Sequence, residues 1–347
     1  MVKGKKKLSV GGKIALIVAG VVVVAGLAAW MIINDKLGLI SRIKNEEPIS
    51  NTDETFEETE NNGGASIDQA SASKELEIDD IELMTDSDVI NILLVGSDGE
   101  TSASRTRSDA MIICSLNRKK GDIKLISLLR DMYVSIPGFS NNRINASYAF
   151  GGMSLLDETI EKNLGVKIDG NVAVNFDSFM EAIAQVGNID IELNAKEANH
   201  LNTDAAYAAN KWKLHEGVNT LTPEQLLAYA RIRHVGNGDW ERTERQRKVI
   251  MAAFAKVKDL SAKEILALAD KVLPCIATDM SNADILNLVR LVFTKKMNIA
   301  GTYRIPVDNS WKYAMIEKMG VIMADMKVNS KAIQDIIYDI PETTAQN

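Results

Sequence analysis

The sequence predicts an α/β fold, a three-layer α-β-α sandwich around a central mixed sheet, preceded by one transmembrane helix and a disordered linker. Three observations predict it. Short apolar runs bounded by polar or glycine-containing turns read as strands buried on both faces. Helical segments with clear start and stop residues are interspersed with them. The chain ahead of the first strand carries no globular pattern, so the 347 residues reduce to one large domain.

In chain order, residues 1–13 form a basic tail and residues 14–33 an uncharged, almost wholly apolar run. About 20 such residues cross the hydrocarbon layer as a helix. Lys3, Lys5, Lys6, Lys7 and Lys13 precede the run, and the positive-inside bias keeps that end in the cytoplasm and the C-terminal domain outside. Gly26-Leu27-Ala28 offers a small-x-small cleavage site, the alternative reading, but the apolar run continues well past it. Residues 34–87 read as an acidic flexible linker: from 46 to 88 there are fifteen acidic side chains and one base, Lys74, with little apolar periodicity. The domain then occupies residues 88–340. From residue 89 onward acids and bases balance at 31 each, so net charge says nothing about the substrate, and a neutral exported domain has no call on nucleic acid.

Within the domain, residues 91–95, 110–116 and 124–129 read as the first strands, joined by 172–174 and 189–193. Helices are expected over 155–164, closed by Gly165, and 176–186, closed by Gly187. The clearest helix start is Thr222-Pro223-Glu224-Gln225, a hydroxyl N-cap, a first-turn proline and a capping-box glutamine, which turns Leu226, Leu227 and Tyr229 inward. A long helix over 242–258 carries Val249, Ile250, Ala253 and Val257 at helical spacing, and later helices start near Ser261 and Ser281. There is no internal repeat, no G-x-x-x-x-G-K loop and no H-E-x-x-H helix. Cys114 and Cys275 lack metal-ligand spacing, and the sequence leaves their pairing open.

Two clusters carry chemistry. Asp98 ends the first strand in Gly96-Ser97-Asp98, and Arg107-Ser108-Asp109 opens the second, so adjacent strand ends bring two carboxylates together. A hard cation such as Mg²⁺ is commonly held by one or two carboxylates plus substrate phosphate oxygens; a turn aspartate and an ion partner for Arg107 is the plainer reading. The second cluster is Arg231, Arg233, Arg242, Arg245 and Arg247, five of the domain's twelve arginines within seventeen residues, with Arg130 after the third strand. Guanidinium forks grip phosphate oxygens bidentately, although Glu241, Glu244 and Asp239 also allow ordinary helix-surface ion pairs.

These blocks, taken with Ile126-Ser127-Leu128-Leu129-Arg130-Asp131, Arg143-Ile144-Asn145-Ala146-Ser147-Tyr148-Ala149-Phe150-Gly151-Gly152, Ala228-Tyr229-Ala230-Arg231-Ile232-Arg233-His234 and Asp239-Trp240-Glu241-Arg242-Thr243-Glu244-Arg245-Gln246, resemble the LytR-CpsA-Psr family over about residues 89–254. Leu129 stands where that family usually has proline, Ala110 where threonine is common, and Glu241 where glycine is usual. The resemblance implies that Asp98 and Asp109 hold or orient Mg²⁺, that Arg107, Arg130, Arg231 and Arg233 bind the pyrophosphate, and that Arg242 and Gln246 support catalysis beside Asp98, Asp109 and Arg107. Asp109 or Asp131 is the candidate base. It further implies phosphoglycosyl transfer from a polyprenyl-pyrophosphate-linked glycan donor, of teichoic-acid or capsule type, to a peptidoglycan acceptor, by a single-pass protein of a Gram-positive membrane. The alternatives are a lipid-pyrophosphate phosphohydrolase and a non-catalytic binder of lipid-linked glycans. Leu155, Ile160, Phe176, Phe179 and Ile183 are candidates for an apolar slot, or for the core.

Overall fold

The structure is a computed structural model that describes residues 36–43, 81–97, 108–175, 186–204, 211–232, 235–236, 239–258, 260–316 and 318–340. The apolar run 14–33 and the expected helix 176–186, apart from Val186, lie outside the described residues. Among the described residues no helix is long and apolar enough to cross a membrane.

The strands are β1 (Ser41–Arg42), β2 (Val89–Ser97), β3 (Ser108–Asn117), β4 (Asp122–Leu128), β5 (Tyr133–Val134), β6 (Asn142–Arg143), β7 (Gly170–Asn175), β8 (Ile189–Leu193), β9 (Gly217–Leu221), β10 (Ala277–Thr278), β11 (Asn298–Ile305), β12 (Trp311–Ile316) and β13 (Met319–Ala324). The helices are α1 (Ile144–Leu164), α2 (Ala195–Thr203), α3 (Pro223–Arg231), α4 (Asp239–Lys258), α5 (Ala262–Val272), α6 (Asn282–Thr294) and α7 (Met326–Tyr338). Seven strands form one mixed sheet in the order β1-β10-β7-β2-β3-β4-β11.

Strand alternation assigns the layers. Leu93 and Val95 of β2, with Met111 and Ile113 of β3, face a core filled by Leu156 and Ile160 of α1 and Ile333 and Ile337 of α7. Ile92 and Ile112 point the other way, toward Ile250 and Phe254 of α4 and Ile285 and Leu288 of α6. Sheet faces buried by helices on both sides make the three-layer sandwich. Leu155 and Ile160 belong to the first core; Phe176, Phe179 and Ile183 lie outside the described residues.

Three expectations change. Residues 36–43 and 81–87 were counted in the linker, yet Leu37 and Ile40 are buried, β1 pairs with β10, and Met84 bridges to Val166. The strand over 189–193 does not join the central sheet: its burial alternates strictly, one face only, and it forms an antiparallel hairpin with β9. That hairpin, α2 and α3 build a separate small core around Ile191, Leu201, Leu226 and Tyr229, with Val249 of α4 packed into it; Leu227 is only half-buried. Helix α1 starts eleven residues earlier than periodicity suggested because a break at Gly151-Gly152 hides the first turns. Gly152 has φ 65° and ψ −152°, a backbone open to glycine alone.

The starts at Thr222, Ser261 and Ser281 came out as read, with full capping boxes at Thr222 and Ser261 and a side-chain cap at Ser281. Residues 298–338 complete the same domain, since β11 pairs in parallel with β4. Cys114 and Cys275 are both free thiols, and burial pushes Cys114 up to about 12.

At the end of the sheet where β2 and β7 begin, the Asn171 side-chain amide donates to Asp157 Oδ2 at 2.8 Å and to Asp279 Oδ2 at 2.7 Å. Burial, reinforced by the charge of Asp279, raises the Asp157 carboxyl from the ordinary 3.8 to about 7. Between these values the native state keeps a proton that the unfolded chain has released. Stability therefore falls as pH rises through this window. Asp157→Asn is expected to remove that slope and to gain about 1–3 kcal/mol at pH 8; urea midpoints at pH 5 and pH 8 check it, and an unchanged slope in the variant would refute it.

Candidate functional site

The sheet topology gathers the predicted residues at one end. Strand β2 runs toward that end, antiparallel β3 starts there, and β4 and β11 finish there, with Leu128 opposite Met111 and Ile305 opposite Leu128. Ser97 therefore meets the start of β3, with the Arg130-Asp131 turn one strand further along the same edge. The register of β2 on β3 jumps here: Gly96 pairs with Ala110 and Ser97 with Ser108, so Asp109 is the extra residue of a β-bulge. Bulges recur beside active sites because they re-aim a side chain. Asp98, Arg107, Arg233 and the side chain of Asp109 lie outside the described residues.

Arg130 and Arg143 flank Asp131, whose carboxylate lies 3.7 Å from Arg130 Nε and 3.2 Å from Arg143 Nη1. Asp131 is thus engaged by two guanidinium groups, an anchor better suited to orienting arginines than to taking up a proton. Burial lowers the Arg143 pKa. The residue opens one of the motifs in the sequence, but nothing in its spacing marked it as a site residue.

Helix α4 carries three arginines of the second cluster, and they are not on the surface: Arg242, Arg245 and Arg247 are 3%, 1% and 6% exposed. Each does something different. Arg247 Nη1 donates to Ser127 Oγ at 2.6 Å, tying the helix to the end of β4, and burial pushes its guanidinium down to about 10, with Arg304 adding repulsion. It remains a cation at neutral pH. Arg245 turns to the connection after α3: Nη1 donates to the Ile232 carbonyl and Nη2 to the Val235 carbonyl, both at 2.9 Å, while Nε meets Glu197 Oε1 at 2.8 Å and Nη2 meets Glu241 Oε2 at 3.0 Å. Its forks are filled by protein, so Arg245 is a clamp on the segment that carries Arg233. Glu241, the departure from the usual glycine, supplies part of that clamp, and its carboxylate packs where a side chain on Gly236, at φ 78°, would stand.

Arg242 and Gln246 sit one turn apart on α4. The Gln246 carbonyl oxygen is buried and accepts no hydrogen bond. An unmet buried acceptor costs about 1–3 kcal/mol, a penalty that a site waiting for a donor or cation tolerates. Arg231 is exposed in the last turn of α3.

The C-terminal region adds what the sequence did not announce. Arg304 at the end of β11 lies opposite Ser127, and its guanidinium stands 4.5 Å over the Trp240 ring. Trp240 in turn stacks on Trp311 at 4.3 Å and donates to Tyr313 Oη at 3.1 Å. A short Arg-Ile-Pro stretch far from the other motifs gave no reason to join it to them.

Fold and site together define a three-layer α/β domain with buried and half-buried arginines converging on one end of its sheet. The chain belongs to the LytR_cpsA_psr family, whose pattern matches residues 39–332. A Bacillus mycoides protein named polyisoprenyl-teichoic acid–peptidoglycan teichoic acid transferase TagU is 34% identical over 178 residues, 51% of this chain and 55% of that one. A Staphylococcus aureus protein named regulatory protein MsrR is 31% identical over 161 residues, 46% of this chain and 47% of that one. The chain thus spans about half the length of these relatives. Among solved structures, TagT bound to LIIa-WTA superposes with a TM-score of 0.59 at 25% identity, covering 73% of this chain and 92% of that one. Bacillus subtilis TagV gives 0.57 at 26% identity, covering 74% and 100%.

Proposed function

We propose that the protein is a membrane-anchored phosphoglycosyl transferase that moves a glycopolymer from a polyprenyl-pyrophosphate carrier to peptidoglycan outside the cell, with Mg²⁺ as cofactor. The observation that carries this reading is the convergence, at one sheet end, of the end of β2 and the bulge at Asp109 with Arg130, Arg143, Arg247 and Arg304. That many cations in one place need an anion with several charges, and a pyrophosphate supplies it.

The residue types suit a hard cation: Asp98 and Asp109 bring two carboxylates, and the carbonyl oxygen of Gln246 is buried without a donor. In this reading Asp98 and Asp109 hold Mg²⁺, which when bound offsets charge on the pyrophosphate oxygens. Arg107, Arg130, Arg231 and Arg233 grip the phosphates and stabilise charge on the departing polyprenyl phosphate. Arg242 and Gln246 orient the group being transferred. Asp131, held between Arg130 and Arg143, keeps the forks aimed, which leaves Asp109 as the carboxylate for the incoming hydroxyl proton. The name of the TagU relative, a teichoic acid transferase, supports the donor and acceptor classes.

Purified full-length protein, incubated with a lipid-linked glycan and peptidoglycan oligomers, is expected to give a phosphodiester-linked conjugate with Mg²⁺ and none with chelator. Free phosphorylated glycan with no conjugate would make it a phosphohydrolase instead. Binding of the lipid without any product would make it a receptor.

A further inference from the structure

The way the chain enters the domain fixes which end of the sheet faces the lipid. Strand β10 runs antiparallel to β7, which is parallel to β2, and β1 runs parallel to β10. Strand β1 therefore points away from the end where β2 finishes, and the residues before it arrive from the side of the candidate site. This entry is firmly seated. Leu37 and Ile40 are 5% and 4% exposed, Lys36 pairs with Asp270 of α5, and Arg42 donates to the Met280 carbonyl and the Asn282 side chain at the start of α6. The apolar run ends at residue 33, three residues before Lys36. A three-residue span reaches at most about 10 Å.

Beyond the acidic run the described chain resumes at the other end of the sheet: Met84 donates its amide to the Gly165 carbonyl at 3.0 Å, the Tyr338 hydroxyl donates to the Met84 carbonyl at 2.6 Å, and β2 starts at Val89. Arg42 pairs with Thr278, which lies opposite Val172 and so level with Leu94 of β2; the flank before the acidic run is therefore near mid-sheet, and only the flank after it is at the end away from the site.

We infer that residues 36–43 are a short, docked connector that turns the site end of the sheet toward the outer face of the bilayer. The inference rests on the reading of residues 14–33 as a membrane anchor. It puts the arginine-lined end at the height where a lipid carrier's pyrophosphate emerges, so donor need not leave the membrane to bind.

The test measures height. Asp308, beyond the site end of β11, and Lys119, in the β3–β4 turn at the opposite end, are both exposed. They differ by about the length of a nine- or ten-residue strand, roughly 30 Å. Full-length Asp308→Cys and Lys119→Cys proteins, each carrying a donor fluorophore, are reconstituted into vesicles containing acceptor-labelled lipid. Energy transfer from position 308 is expected to exceed that from 119 roughly twofold or more, given that separation. Equal transfer, or more from 119, overturns the orientation while leaving the anchor intact. Failure of the protein to float with the vesicles overturns the anchor, and the inference with it. In a Leu37→Asp, Ile40→Asp variant the connector is undocked, so flotation should persist and the difference should collapse; a persistent difference overturns the role of the connector.

Discussion

Arg245→Ala is expected to cost about 3–5 kcal/mol of folding stability, the usual penalty for removing one member of a buried ion pair. The arginine is 1% exposed, and its partner Glu197 3%. Truncation would leave the Glu197 charge with only its capping contact, Oε2 to the Asn194 amide at 3.0 Å, and would strip the carbonyls of Ile232 and Val235 of their donor. With total stability in the range of about 5–15 kcal/mol, a loss of that size is a third or more of it. Urea unfolding of the wild type and variant decides the matter. A shift under 1 kcal/mol would show that the segment after α3 is held some other way. The companion Glu197→Gln, Arg245→Met pair, which removes both charges together, should recover part of the loss.

Arg242→Lys and Gln246→Ala should leave the fold intact and cut transfer by about 10²–10³-fold each, the range seen when one preorganised donor to developing charge is removed. Lysine keeps the charge of Arg242 but not its fork, so the variant separates geometry from charge. The Gln246 carbonyl oxygen is buried with no donor, so removing it breaks no hydrogen bond made by that oxygen. Equal melting midpoints with a reduced single-turnover rate are the expected result; lowered midpoints in step with activity would reduce both residues to packing roles.

The layers of the fold were legible because periodicity reports burial. Five-residue runs such as 91–95 are apolar on both faces, and they lie between helices. Capping residues were equally legible, as Thr222 and Ser261 show, because a cap is a local contract between residues three apart. What stayed hidden depended on distance along the chain. Arg304 joins the site only through the parallel pairing of β11 with β4, and the clamp role of Arg245 depends on two carbonyls ten and thirteen residues away. Charge density alone suggested either phosphate ligands or surface pairs for α4, and burial gave a third answer for Arg245. The docked connector was masked by composition: Leu37 and Ile40 are single apolar residues in a polar neighbourhood, and only their seat on the sheet edge shows their use.

The division of labour between carboxylates and arginines is the centre of the account, and one paired assay reaches it most directly. Lipid-pyrophosphate binding and transfer to peptidoglycan oligomers are measured for the wild type, Asp98→Ala and the Arg231→Ala, Arg233→Ala double variant, each with Mg²⁺ and with chelator. The account predicts that the arginine variant loses transfer and binds the donor more weakly, by about 2–5 kcal/mol where a desolvated charge pair is broken. Asp98→Ala should lose turnover and its response to Mg²⁺ while keeping most of its lipid binding. Transfer at the wild-type level by the double arginine variant would contradict the site.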